Sequence, residues 1–378
     1  MKKYLIHIAV FLLILTPASN AAYIDTDAKV AVVIDGHTGK VLFSKDKDKK
    51  TYPASMTKIM TTLIIFEKLA NETLSLDDKF LVSEKAWRER EGSSMFVEVD
   101  KEIRVEDLLR GIIVQSGNDA CIVVAENIAG TEESFAKMMT QKAKEIGMKN
   151  TNFTNSTGMY DKDNYSTVYD IALLSMHLIN EYPQYYHLFA ETEFEWSGIK
   201  QNNRNSLLYK NMGVDGLKTG HLSKSGYGLA ASAVDQNRRV ISVVNGFEST
   251  QKRTQGSSRL ITWAFREFTN LKLFEKDDIV GQVEISGSSN KESDVSTGEE
   301  IIITIPKSKR DGLITNIVVD DNISAPLNAG DKVGYLEISV PGEENQTYEL
   351  YATNEIDRSN IFVRFFNYLI NLILSLFD

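Results

Sequence analysis

Apolar residues recur at Met56, Ile59, Met60, Leu63, Ile64 and Phe66, the spacing of one helix face, and the pattern predicts a buried helix to about Asn71. Pro53 stands at its start, where no amide donor is needed. Ahead of it, residues 30–35 and 40–44 read as two short strands joined by Gly36-His37-Thr38-Gly39. Helical spacing returns over 105–111, then through Cys121, Val124, Ala125 and Ile128 to Gly130, over 132–146 up to Gly147, and over 169–179. Residues 150–164 are polar and loop-like. Residues 213–221 lead into two β-rich segments, 227–234 and 239–247, with Asp235-Gln236-Asn237-Arg238 as a hairpin turn. A helix over 254–269 closes the region. This order predicts an α+β domain over 22–270, with helices packed on an antiparallel sheet whose strands come from both ends of the segment.

The pattern changes after about Asn270. Residues 280–285, 301–305, 313–319, 332–340 and 347–352 are strand-like, and 286–300 form the longest polar stretch between them. We expect a small all-β sandwich over 271–353. In the last segment, 354–378, polar residues recur at Asn360, Arg364, Asn367, Asn371, Ser375 and Asp378, a narrow stripe on an otherwise apolar helix. The thirteen uncharged residues before Asp378 are too few for the about 20 that a span needs, so this helix is expected to lie in a membrane interface. At the other end, Lys2 and Lys3 precede an apolar run over 4–15, and Ser19-Asn20-Ala21 offers small residues for cleavage. Residues 1–21 therefore read as a secretory signal.

Composition narrows the chemistry. Of 378 residues, 42% are hydrophobic and 25% charged, which suits a packed core. The formal charge of −10 and the lack of a long basic run argue against nucleic acid as a partner. Cys121 is the only cysteine, so no intrachain disulfide forms, and its place on an apolar helix makes it a core residue. The five histidines show no ligand spacing, and no metal or cofactor is expected.

Ser55 and Lys58 are three apart and share a helix face, with β-carbons roughly 5–6 Å apart. A neutral amine there can take the proton that makes a serine hydroxyl nucleophilic. Free amides and the positive end of the helix dipole suit a developing oxyanion. Ser-x-x-Lys alone is weak, because it begins at Ser44, Ser55, Ser134, Ser197, Ser249 and Ser288. Two further motifs follow Ser55 in order, Ser116-Gly117-Asn118 on a helix–helix turn and Lys218-Thr219-Gly220 on a strand. Lys218 fits better than Lys224 of Lys224-Ser225-Gly226, because its strand precedes others and could turn an edge to the serine.

Together these motifs resemble the penicillin-recognising acyl-serine enzymes. Tyr52-Pro53-Ala54-Ser55-Met56-Thr57-Lys58, Ser116 to Cys121, Asp215-Gly216-Leu217-Lys218-Thr219-Gly220-His221, Lys224 to Tyr227 and Thr262-Trp263 sharpen the likeness to low-molecular-mass penicillin-binding proteins, serine-type D-alanyl-D-alanine carboxypeptidases. The resemblance spans nearly the whole chain and implies the penicillin-binding, β-lactamase-like fold. It implies that Ser55 attacks the carbonyl between two D-alanines, that Lys58 accepts its proton, and that Ser116 relays a proton to the departing amine. Asn118 would hold the substrate amide or Lys58, and Lys218 would be the nearby cation. Thr219 and Arg253 would bind the terminal carboxylate, and the amides of Ser55 and His221, beside Gly220, would form the oxyanion hole. Some members carry a histidine where this chain has Thr157.

The implied partners are peptidoglycan stem peptides, β-lactam antibiotics and the outer leaflet of the cytoplasmic membrane, reached through the C-terminal helix. The implied role is removal of the last D-alanine, which limits cross-linking, by an exported protein on the periplasmic side of that membrane. A β-lactamase on the same serine would need a deacylating base, and no glutamate motif for one stands between Asn150 and Asp170. A non-catalytic wall-binding scaffold would predict lost motif residues, yet all are present.

Overall fold

The computed structural model describes residues 23–89, 91–288 and 292–360, in two compact units that divide between Thr269 and Asn270. The expected signal at 1–21 lies outside the described residues, as do residues 361–378 of the expected C-terminal helix. No helix among the described residues is long and apolar enough to cross a membrane.

In the first unit, β1 (Val30–Asp35) and β2 (Val41–Lys45) form the expected hairpin. A 3-10 turn at Ala54–Thr57 runs into α1 (Lys58–Ala70), followed by α2 (Val105–Ile113), α3 (Asn118–Ala129), α4 (Glu132–Glu145) and α5 (Val168–Glu181). Then come β3 (Val214–Leu222), β4 (Gly226–Asp235), β5 (Arg238–Phe247) and α6 (Thr250–Glu267). The antiparallel sheet has the order β2-β1-β5-β4-β3, so the first strands of the chain insert beside the last, as expected from the sequence.

Strands that are apolar at consecutive positions must be covered on both faces. Every residue of β1 is buried. Val32, Ile34, Ile241, Val243 and Ala230 join the core built with α1 to α5, which leaves α6 to cover the alternate residues. α1 is apolar nearly all round, and residues 58–66 are all buried, as such a helix requires. The β4–β5 turn places Gln236 and Asn237 at φ +47° and +64°, the left-handed pair that matches strand twist in a two-residue hairpin.

Two boundaries differ from expectation. Ser55 sits on the 3-10 turn before α1, not within the α-helix. α6 starts one turn earlier than residue 254, because the Ser249 side chain caps the amide of Lys252 at 3.2 Å.

The second unit is all β. β6 (Phe268–Phe274) pairs with β9 (Ile301–Pro306), and β7 (Ile279–Val283), β8 (Ser293–Thr297), β10 (Ile314–Val319), β11 (Lys332–Ser339) and β12 (Gln346–Ala352) form a sheet of order β7-β8-β12-β11-β10. β8 falls in the stretch expected to be loop, and residues 268–269, expected to end a helix, begin β6. Residues 354–360, grouped by pattern with the terminal helix, run extended instead. Ile356 bridges to Leu327 and is buried in the β core, and Arg358 bridges to Ser288.

Candidate active site

The site forms where the Ser55 turn, the α2–α3 turn and the edge strand β3 converge. Asn245 holds the approach to the serine turn, donating to the Tyr52 carbonyl at 3.1 Å and the Thr51 hydroxyl at 3.2 Å. Ala54 then adopts φ +51° and Ser116 φ +63°, left-handed values that non-glycine residues rarely hold and that cluster at functional sites. β3 comes so close to the serine turn that a β-carbon on Gly220 would stand 2.8 Å from the Pro53 carbonyl oxygen. Gly158, at φ +80°, would place one 1.9 Å from the Ala54 oxygen.

A cleft of about 760 Å³ opens over this junction, lined by Ser55, Ser116, Asn118, Thr219, Gly220, His221 and Arg253 among others. Lys58 and Lys218 lie beneath it, 0% and 3% exposed. Lys58 Nζ donates to Asn118 Oδ1 at 2.7 Å and to the Thr157 carbonyl at 2.6 Å, and stands 3.2 Å from Ser55 Oγ. Burial pushes the Lys58 amine below the usual lysine range, and the charge of Arg204 adds to this. Burial, then the charges of Lys58 and Arg204, pushes Lys218 well below it. Lys218 makes no ion pair among the described residues, nor does Arg253, whose pKa burial brings down to about 10. Arg253 is 5% exposed; its side chain donates to the Arg204 carbonyl at 3.3 Å and has an unpartnered Nε. A buried guanidinium in that state is a ready anion site. The His221 ring stacks on Tyr227 with centroids 3.9 Å apart, which leaves the backbone of His221 on the cleft edge.

The structure thus brings together Ser55, Lys58, Ser116, Asn118, Lys218, Thr219, Gly220, His221 and Arg253. Cys121 lies under the site, and burial pushes its thiol up to about 12, which suits a core residue and not a nucleophile. Two contributors escaped the sequence reading. Thr157 acts through its main-chain carbonyl, so the side chain at that position carries no signal. Arg204, exposed on the cleft wall, hydrogen-bonds the Ser93 hydroxyl across the mouth and follows no motif.

Residues 16–249 match the family described as D-alanyl-D-alanine carboxypeptidase. The chain belongs to that family. Residues 268–358 match the C-terminal domain of penicillin-binding protein 5. The carboxypeptidase DacA of Haemophilus influenzae is 33% identical over 93% of this chain and 91% of its own length. The structure of penicillin-binding protein 5 from Haemophilus influenzae superposes with a TM-score of 0.84 at 33% identity, covering 90% of this chain and 100% of that one. Penicillin-binding protein D2 of Listeria monocytogenes in its ampicillin-bound form gives a TM-score of 0.59 at 29% identity, over 65% of this chain and 99% of that one. This chain is therefore a serine-type D-alanyl-D-alanine carboxypeptidase of the penicillin-binding fold with an all-β second domain.

Proposed function

We propose that this carboxypeptidase removes the terminal D-alanine from peptidoglycan stem pentapeptides through an acyl-ester on Ser55, and that β-lactams acylate the same oxygen. One observation carries the reading. A neutral amine has two N–H groups and one lone pair. Asn118 and Thr157 take two donors from Lys58 Nζ, so in the neutral form the lone pair faces Ser55 Oγ at 3.2 Å. Burial favours that neutral form.

The terminal carboxylate binds Arg253 and Thr219, and the scissile carbonyl oxygen sits between the amides of Ser55 and His221. Ser55 Oγ attacks the carbonyl carbon and its proton passes to Lys58 Nζ. The C–N bond then breaks, and the departing D-alanine amine takes a proton by way of Ser116 and Lys58. Water attacks the ester along the reverse path, giving its proton to Lys58 and restoring Ser55. Lys218 and Lys58 are buried close enough for their like charges to oppose one another, which favours loss of a proton from the pair. The β-lactam part of the proposal draws support from the ampicillin-bound Listeria neighbour.

Trimmed tetrapeptides are no longer acyl donors, so the reaction limits cross-linking. The signal-like start and the amphipathic terminal segment support export to the periplasmic face of the inner membrane and peripheral attachment there. Incubation of the purified chain with a stem pentapeptide, with free D-alanine as the readout, tests the proposal. Wild type is expected to release D-alanine and Ser55→Ala to release none. A Ser55→Ala variant as active as wild type, or rapid turnover of penicillin in place of a long-lived adduct, overturns it.

A further inference from the structure

One buried acidic side chain next to the cleft-lining Asn118 has no task in the proposed reaction. Asp119 follows Asn118, is 1% exposed and makes no ion pair among the described residues. Oδ1 accepts the amides of Met95 at 2.8 Å and Ala120 at 2.9 Å. Oδ2 accepts the amides of Phe96 at 2.8 Å and Val97 at 3.1 Å and the hydroxyl of Ser94 at 2.6 Å. A carboxylate offers about four lone-pair sites, so this one is fully used. All but one of its donors come from residues 94–97, and the adjoining Gly92 and Ser93 line the cleft.

The same loop grips the catalytic asparagine. The Ser93 carbonyl accepts the Asn118 amide at 2.7 Å, and the Glu91 carbonyl accepts Asn118 Nδ2 at 2.7 Å. The second contact decides which way the carboxamide faces. With Nδ2 committed to Glu91, Oδ1 is turned to Lys58 Nζ. A β-carbon on Gly117 would stand 2.8 Å from Asp119 Oδ1 and 3.0 Å from the Met95 nitrogen, so the helix start and the loop touch with nothing between them.

We propose that Asp119 is a positioning residue, whose carboxylate pins residues 94–97 and, through Glu91 and Asn118, keeps the Lys58 lone pair aimed at Ser55 Oγ. Only a carboxylate meets this requirement. The asparagine isostere has one acceptor oxygen, and its amide hydrogens would confront the donors of Phe96, Val97 and Ser94. The inference rests on the acyl-ester reading of the site.

The test is D-alanine release from a stem pentapeptide across pH, with fluorescent penicillin labelling of Ser55 and a thermal melt as controls, on the full chain and on Asp119→Asn and Ser94→Ala. Misaiming by a fraction of an ångström is expected to lower kcat by about 10–100-fold in Asp119→Asn, with KM changed less than about threefold. Asp119→Asn also removes a negative charge that favours protonated Lys58. The acid limb of its pH profile therefore moves to lower pH, which loosened packing alone would not cause. The other groups acting on Lys58 are unchanged, namely Arg204, Glu132 on α4, Cys121 on α3 and Lys218 on β3. Ser94→Ala loses one tie and no charge, so kcat falls by roughly threefold and the limb stays in place. Wild-type kcat with an unmoved limb in Asp119→Asn overturns the proposal. If that variant does not fold, a wild-type kcat in Ser94→Ala overturns it. A wild-type chain that releases no D-alanine sinks the acyl-ester reading instead.

Discussion

A lysine serves as a base only after losing its proton, and at Lys58 burial supplies the driving force while Arg204 adds to it from the cleft wall. Below the lowered pKa of Lys58 the amine is protonated and has no lone pair for Ser55. The rate constant kcat/KM should therefore rise with pH along an acid limb that lies below the ordinary lysine range near ~10.5. Arg204→Gln removes one charge that disfavours protonated Lys58, so the limb should shift to higher pH and the rate near neutrality should fall. A pH–rate profile of D-alanine release, wild type against variant, reads the sign directly. Arg253 carries a different load. Its guanidinium has no carboxylate partner among the described residues, and a charge-assisted hydrogen bond contributes about 1.5–3 kcal/mol. Arg253→Ala should cost roughly 10–100-fold in kcat/KM for the pentapeptide, by the conversion of about 1.4 kcal/mol per decade.

Between elements, the decisive contact is the packing of β3 against the Ser55 turn. Gly220 faces the Pro53 oxygen with space for hydrogen but not for methyl. Gly220→Ala should push the strand edge from the serine, at an overpacking cost of about 1–3 kcal/mol. Loss of penicillin labelling together with a lower melting temperature would bear this out; full labelling at wild-type stability would refute it. That strands from both ends of the segment share one antiparallel sheet was legible beforehand, from the apolar runs at 30–35, 227–234 and 239–247; their order came only with the structure. What escaped was structure held by ladders or caps without hydrophobic patterning. β8 is Ser-Asp-Val-Ser-Thr, with one large apolar residue, and owes its strand to pairing with β7 and β12. The first turn of α6, Thr250 to Arg253, is polar on every face and declares itself only through the Ser249 cap. That missed turn matters, since it makes Arg253 a helical residue aimed into the cleft and not one lying ahead of the helix. The Thr157 carbonyl lies further from the reach of sequence, because a main-chain acceptor can be presented by many residue types. The threonine side chain at this position therefore has no part in the Lys58 contact, which the main chain alone supplies.

Over the molecule as a whole, the site and the segment proposed as an anchor occupy different stretches of chain. Every residue assigned to the site lies in the unit that ends at Thr269, which has its own core under α1 to α5. The second unit has a separate core around Ile303, Val333, Leu336 and Leu350, and residues 354–360 complete it through the Ile356 and Arg358 bridges. The amphipathic pattern that reads as an interfacial anchor continues beyond them, from Ile361 to Asp378. That division sets the place for a cut. Ending the chain after Asn360 keeps both bridges and both cores, and removes Phe362, Phe365, Phe366 and the leucine-rich tail that would enter a headgroup layer. Burying such side chains is worth about 1.5–3 kcal/mol each, enough in sum to hold a protein on a bilayer. The shortened chain should therefore move from the membrane pellet to the soluble fraction while kcat for D-alanine release and the stoichiometry of penicillin labelling stay within about twofold of the full chain. Persistent sedimentation with membranes would place the attachment elsewhere in the protein, and loss of activity would mean that the two functions are coupled after all.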